Sequence, residues 1–341
     1  MNNIKIERFN NIEYLRLLFA LQVMFVHAFQ HIKEIEISII NSLPGVPAFF
    51  FISGFLIYAS YIKSKNIKDY FVNRVLRLVP GLIFVTLAGF IVVLYAKGFV
   101  FLLQNIKFFV IWFVAQLTLG QAYNPSLFRD IGVGTINGSL WTITVEILFY
   151  ISVPVIVFFE RYYRHTVLLF LVLSLIFYIF GSQVLDFELT RGKTMFEFIK
   201  LTPIVWGWMF LVGVLCFKYY SILYRYKYYL KWSILPLIVI FLFDGSGWLF
   251  NYNGNSLGVL YYLFYVLFIF YIAFGAKYIP LRFDISYGVY VWHMVVINLL
   301  LVINIKSVLL VFFLTISFAF VSWFFVEKPS LKLKKYSLRR D

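Results

Sequence analysis

Eleven apolar runs, most of them close to 20 residues long, leave this chain few ways to fold; they lie at 12–30, 46–61, 78–96, 99–119, 140–159, 166–182, 199–217, 230–243, 256–275, 285–303 and 307–326. A helix rises about 1.5 Å per residue, so about 20 apolar residues cross a hydrocarbon layer of about 30 Å. Inside that layer each backbone N–H and C=O must be paired within the protein, which makes a segment of this length and hydropathy helical. The expected fold class is all-α, a polytopic membrane helix bundle. Composition agrees: 62% hydrophobic residues, 13% charged residues and a mean hydropathy of +0.89 exclude a soluble globular domain.

A formal charge of +15 would suit a nucleic-acid partner, but none is expected, because cytoplasmic loops of polytopic proteins collect Lys and Arg. Loop 62–77 carries Lys63, Lys65, Lys68, Arg74 and Arg77 against Asp69, and loop 218–231 carries Lys218, Arg225, Lys227 and Lys231 with no acid. Both are placed in the cytoplasm, as is the tail after Glu327 with Lys328, Lys332, Lys334, Lys335, Arg339 and Arg340. Loops 31–45, 183–198 and 243–255 are neutral or acidic and belong on the other side. Loop 160–165, with Arg161 and Arg164, is also cytoplasmic, so an even number of crossings must separate it from 62–77. Of the runs between them, 99–119 is the weakest, holding Gln104 and Lys107, and is read as re-entrant or interfacial. About ten transmembrane helices remain, with both termini cytoplasmic.

The first run contains Glu13 and Arg16 and no small-residue cleavage site follows, so it is expected to be a retained span. The single cysteine, Cys216, excludes an intramolecular disulfide. No internal repeat and no Pro/Gly/Ser linker divides the chain, which is read as one domain over 1–341.

Ionisable groups inside apolar spans are costly, by roughly 2.5–3.5 kcal/mol on insertion scales, and point to a polar interior or a site. Arg16 and His27 are the first such pair. Eleven residues apart, they would lie about 16 Å from each other and only about 20° off one helix face. Glu13, three residues before Arg16, could pair with it. The plainer reading is that Arg16 snorkels to the headgroups and His27 sits at a helix end. Glu146 falls within SLWTITVEILFY (139–150), where it is either functional or a hydrogen-bonded packing residue. Before it, 120–139 is weakly apolar and suits a loop or lid. Tyr287 and His293 lie in ISYGVYVWH, where Trp292 and His293 could equally form an interfacial belt, and Glu327 lies in VEKP. His27 and His31 have an i, i+4 spacing that can hold a metal, but no Glu or Asp accompanies them in the form of a known zinc signature and no metal is expected.

Together these segments resemble the integral-membrane acyltransferase 3 family, the O-acyltransferases of bacterial surface polysaccharides. The resemblance covers nearly the whole chain. It rests on Arg16 and His27, on FFFISGF at 49–55, and on Arg74, Arg77 and Pro80. The family's Trp-Ser-Leu-x-x-Glu is matched by Trp141, Thr142, Ile143 and Glu146, where two substitutions preserve a hydroxyl and an aliphatic group. Ser286, Tyr287 and His293, then Glu327, Lys328 and Pro329, match its last two signatures.

The resemblance implies transfer of an acyl group, usually acetyl, from cytoplasmic acyl-CoA to a sugar hydroxyl across the bacterial cytoplasmic membrane. The implied partners are acyl-CoA, a saccharide acceptor, the lipid bilayer and polysaccharide-assembly proteins. An alcohol is a weak nucleophile at neutral pH, and histidine supplies a base of suitable strength. His27 is expected to act as base or transient acyl acceptor. Arg16 is expected to bind a CoA phosphate or steady oxyanion charge. Arg74 and Arg77 form a candidate clamp for nucleotide phosphates, although positive-inside anchoring explains them as simply. Ser53 and Gly54 are expected to let the second helix approach the first closely. Glu146 would orient His27 or Arg16, with Trp141, Tyr287, His293 and Glu327 in support.

An alternative class is a transporter or flippase for a polysaccharide precursor. That class commonly shows repeats and Gly/Pro-broken spans in matching halves, and none is visible. The chain runs 12 residues beyond Pro329, so no additional extracytoplasmic hydrolase-like domain is expected.

Overall fold

The computed structural model describes residues 10–183 and 198–337, all helices, turns and loops, with no strand among them. The expected loop 183–198 and the tail arginines Arg339 and Arg340 fall almost wholly outside the described residues. The principal helices are α1 Ile12–Ala28, α2 Gly45–Lys63, α3 Ile67–Lys97, α4 Phe99–Gln104, α5 Ile106–Gln116, α6 Trp141–Glu160, α7 Thr166–Gln183 and α8 Pro203–Lys218. They continue with α9 Ile234–Leu242, α10 Val259–Phe274, α11 Ser286–Val302, α12 Val308–Ser322 and α13 Lys328–Ser337. Among the described residues, six helical segments are long and apolar enough to cross a membrane: Ile12–Lys33, Ser38–Lys63, Ile67–Lys97, Gly138–Glu160, Phe198–Lys218 and Val308–Leu333. Five further apolar helices are shorter.

Two boundaries differ from the expectation. Residues 67–77 are the first turns of α3 and not part of a loop, because Asn66 caps them: its Oδ1 accepts the Asp69 N–H at 2.8 Å. Arg74 and Arg77 therefore ride on a helix. Beyond Glu327 the chain stays helical as α13. Segment 99–119 is split at Asn105 into α4 and α5, and the 11 residues of α5 reach only about 16 Å.

The described chain gathers into two compact units, each discontinuous in sequence. One comprises 10–19, 38–63, 148–183 and 198–283. Its centre is the crossing of α2 and α8, where a Cβ on Gly54 would stand 1.9 Å from the Phe210 carbonyl oxygen and one on Gly213 would stand 2.1 Å from that of Phe51. Glycine is required at both, since the backbones themselves are in contact. The close approach at Gly54 is thus made with α8, while Ile12 and Leu15 of the first helix line a small cavity with Phe51, Ile52 and Phe55 of α2. Tyrosines of α10 close the unit: Tyr262 donates to the Met209 carbonyl at 2.9 Å and Tyr261 to that of Ser42 at 2.7 Å. Glu160 at the end of α6 accepts from Tyr58 at 2.6 Å and pairs with Lys218.

The other unit comprises 20–37, 64–147 and 284–337. Here α11 packs on α3 and α12, and α13 on α3. Val93, Leu102, Phe109, Trp112, Phe128 and Ile136 form a buried cluster that fastens α4, α5 and the loop 117–137 to the end of α3. Lys97 pairs with Asp130 at the rim of the loop, which holds that carboxyl below the usual carboxylate range.

Candidate functional site

An apolar cavity of about 440 Å³ in the first unit, between α6, α7 and α8, is lined by no titratable side chain. Chemistry must be sought elsewhere, and the second unit supplies it. Past Ala28 the first helix widens into a π turn, Phe29–Lys33, which packs on α11 and α12. Single π turns often mark functional positions. Just before it, Phe25 stacks on Phe312 with ring centroids 5.8 Å apart. These contacts set His27 against α11, where His293 is wholly buried.

His27 Nδ1 lies 2.8 Å from His293 Nε2. The two rings are inclined by only 16° with centroids 5.0 Å apart, so the bond runs nearly in the plane of both rings. His293 Nδ1 faces the Val289 carbonyl oxygen at 3.3 Å. A carbonyl only accepts, so the network assigns the proton to His293 Nδ1 and leaves Nε2 as an acceptor. His27 Nδ1 then donates, and the lone pair of the His27 ring is on Nε2. His31 stands beside the pair, its ring centroid 5.9 Å from that of His27.

Helix α6 is tied to the same place. The hydroxyls of Thr142 and Tyr290 are 2.6 Å apart, and both reach the Ser139 carbonyl, at 3.1 and 3.2 Å. The Tyr290 ring stands edge-on to His293 with centroids 5.9 Å apart. Loop 120–139 is no open lid but a wall pinned along α11. Asn137 donates to the Val291 carbonyl at 2.9 Å. Asn298 accepts the Val133 N–H at 2.9 Å and donates to the carbonyls of Thr135 and Ile136 at 3.0 Å each.

At the start of α11 a second polar group forms. The Arg77 guanidinium pairs with Asp284 at 3.3 Å, and Asp284 also accepts the Ser286 hydroxyl at 2.6 Å. Tyr287 donates to the Leu78 carbonyl at 2.8 Å. Arg74 lies over the Tyr70 ring, 5.8 Å from its centroid. Glu327, buried in a second π turn, accepts the Ser322 hydroxyl at 2.7 Å.

The second unit thus holds His27, Glu146, Arg74, Arg77, Trp141, Tyr287, His293 and Glu327, and joins His27 to His293 directly. Glu146 is half-buried one helical turn after Thr142, and Trp141 begins α6 half-buried. Arg16, Glu13 and Ser53 belong to the first unit; Arg16 is half-buried on α1 and Glu13 is exposed. Sequence reasoning passed over Tyr290, Asn298 and Asp284. Tyr290 precedes His293 by three residues and so shares its helix face, a signal that was available. Asn298 and Asp284 carry no such mark. Among the described residues no three His, Cys, Asp or Glu side chains gather as a metal site.

A multi-pass helical membrane protein with a hydrogen-bonded imidazole pair between its helices has the side chains for general acid–base chemistry. Comparison with known proteins makes the class specific. Residues 9–327 match the acyltransferase 3 family, described as an acyltransferase domain, and the chain belongs to that family. It is 29% identical to nodulation protein 10 of Rhizobium leguminosarum bv. viciae over 352 aligned residues, covering 95% of this chain and 94% of that one. It is 25% identical to an O-acetyl transferase of Shigella phage Sf6 over 311 residues, covering 87% of each chain. No solved structure matches.

Proposed function

We propose that this acyltransferase moves an acyl group, usually acetyl, from cytoplasmic acyl-CoA to a hydroxyl of a cell-surface polysaccharide or glycolipid. The observation that carries the reading is the His27–His293 bond, which leaves the His27 Nε2 lone pair ready to accept a hydroxyl proton. As the acceptor oxygen attacks the thioester carbonyl, its proton passes to His27 Nε2. The resulting tetrahedral intermediate collapses with cleavage of the C–S bond, and the thiolate recovers the proton as free thiol. His293 accepts the Nδ1 hydrogen bond throughout and steadies the imidazolium. Arg16 supplies positive charge for the oxyanion or a donor phosphate, Arg74 and Arg77 hold the nucleotide phosphates, and Glu146 orients the base from the side of α6.

Acetyl as the group transferred and an oxygen as its acceptor are supported by the name of the phage relative, an O-acetyl transferase. The same reading takes 1–341 as one acyltransferase domain with ten crossings of the bacterial cytoplasmic membrane, both termini cytoplasmic, and 99–119 re-entrant. Its test is mass analysis of surface and cytoplasmic glycan from a His27→Ala strain. Loss of O-acylation with normal amounts of surface glycan is the expected result. Full acylation would remove His27 from the mechanism, and glycan retained inside the cell would make the protein an exporter.

A further inference from the structure

We propose that Asp284 is a positioning residue of the donor site, which holds the Arg77 guanidinium at the mouth of α11 for an anionic phosphate group of the donor. The inference rests on the reading of acyl-CoA as donor. It starts from how little else the Arg77–Asp284 pair explains. The two side chains are 31% and 17% exposed, partly buried but within reach of solvent. The stretch is already fastened without it: Tyr287 donates to the Leu78 carbonyl, and the missing side chain of Gly81 makes room for the Tyr287 ring, 2.6 Å from where a Cβ would stand. Asp284 is itself held, since the Ser286 hydroxyl donates to its Oδ1 while Oδ2 faces Arg77. A carboxylate fixed by a neighbour and facing Arg77 Nη2 restrains where that guanidinium stands, and so where its N–H groups meet an anion.

Position supports the role. Nine residues lead from Asp284 to His293, most of them in α11, so the guanidinium clamp and the imidazole pair are separated by about 13 Å along the helix. In coenzyme A about twelve bonds run from the phosphate oxygen to the sulfur, equivalent to about four extended residues or roughly 14 Å. One helix therefore carries both the residue that aims the phosphate-binding arginine and the residue that orients the base, at the spacing the donor's arm demands.

The test uses inside-out membrane vesicles from a strain producing the protein, which present the cytoplasmic face to added donor and contain native acceptor. Acetyl transfer is measured with acetyl-CoA, S-acetyl-4′-phosphopantetheine and S-acetylpantetheine, the last lacking the phosphate. Asp284→Asn should raise KM about tenfold for the two phosphorylated donors, with kcat changed less than twofold, and should leave KM for S-acetylpantetheine as in the wild type. Ser286→Ala should shift KM in the same direction by less, and it serves where Asp284→Asn accumulates poorly. An unchanged KM for acetyl-CoA in both variants, or an equal rise with all three donors, overturns the role of Asp284. If the wild-type protein transfers nothing from acetyl-CoA, the donor reading fails and this inference falls with it.

Discussion

His27 Nδ1 and His293 Nε2 are 2.8 Å apart although 266 residues separate them in the chain. A hydrogen bond between two imidazoles fixes which nitrogen of each carries the proton, so the reactivity of one ring is set by the other. Removing the partner should matter without any loss of substrate contact. His293→Ala should lower kcat by about 10- to 100-fold, with KM for donor within a factor of two. His293→Gln, whose amide oxygen can accept from His27 Nδ1, should recover part of the loss. Steady-state rates in membrane vesicles decide, and a fall in kcat/KM that comes from KM alone would assign His293 to binding.

Asn298 holds loop 120–139 at several backbone groups, and its removal strands them. Asn298→Leu leaves the Val133 N–H and the Thr135 and Ile136 carbonyls without their partner, at about 1–3 kcal/mol for a buried polar group. Faster amide exchange over 130–137 than in the wild type is expected, with the helices of the first unit unaffected. Equal exchange in the two proteins would mean that the buried cluster around Phe128 holds the loop by itself.

The ten-crossing topology is open to direct labelling. Single cysteines placed at 63–69 or 332–340 should react only with membrane-permeant reagents in intact cells, and cysteines at 125–135 with impermeant ones. Protection at 125–135 would convert 99–119 into a full crossing and reverse every span before it or after it.

The α2–α8 crossing leaves no room for a side chain at Gly213, where a Cβ would meet the Phe51 carbonyl oxygen at 2.1 Å. Gly213→Val should destabilise the first unit by about 1–3 kcal/mol or more, seen as reduced accumulation in the membrane and a lower unfolding temperature in detergent. Gly98→Ala is the contrast: nothing stands within 4 Å of its Cβ, although its φ of 82° keeps some strain. Equal accumulation of the Gly213 variant and the wild type would show that the helices separate without consequence.

Each of the eleven apolar runs corresponds to helix in the structure, because hydropathy over 20 residues is dictated by the bilayer and needs no tertiary information. The start of α3 was hidden because Lys68, Asp69, Asn73, Arg74 and Arg77 interrupt the apolar residues of 67–77; the Asn66 cap signals it. Arg16, His27 and Glu146 stood out as ionisable groups inside apolar spans. The pairing of His27 with His293 did not, since bringing the start of the chain to its last quarter is a matter of packing between helices. Asp284 and Asn298 are ordinary polar residues next to a turn or within a helix, and their work shows only in what lies across from them.

The length of α3 has a consequence for what the membrane admits. Its 31 residues extend about 46 Å, and a hydrocarbon layer of about 30 Å counted back from Lys97 ends close to Arg77. On the proposed topology, the first ten or so residues of α3 stand in water as a post. On the proposed reading of acyl-CoA as donor, its bulky, highly charged end stays in the aqueous phase, and only a neutral chain the width of a single lipid tail enters. The bilayer itself becomes a sieve that sorts donors by the shape of what they push through it.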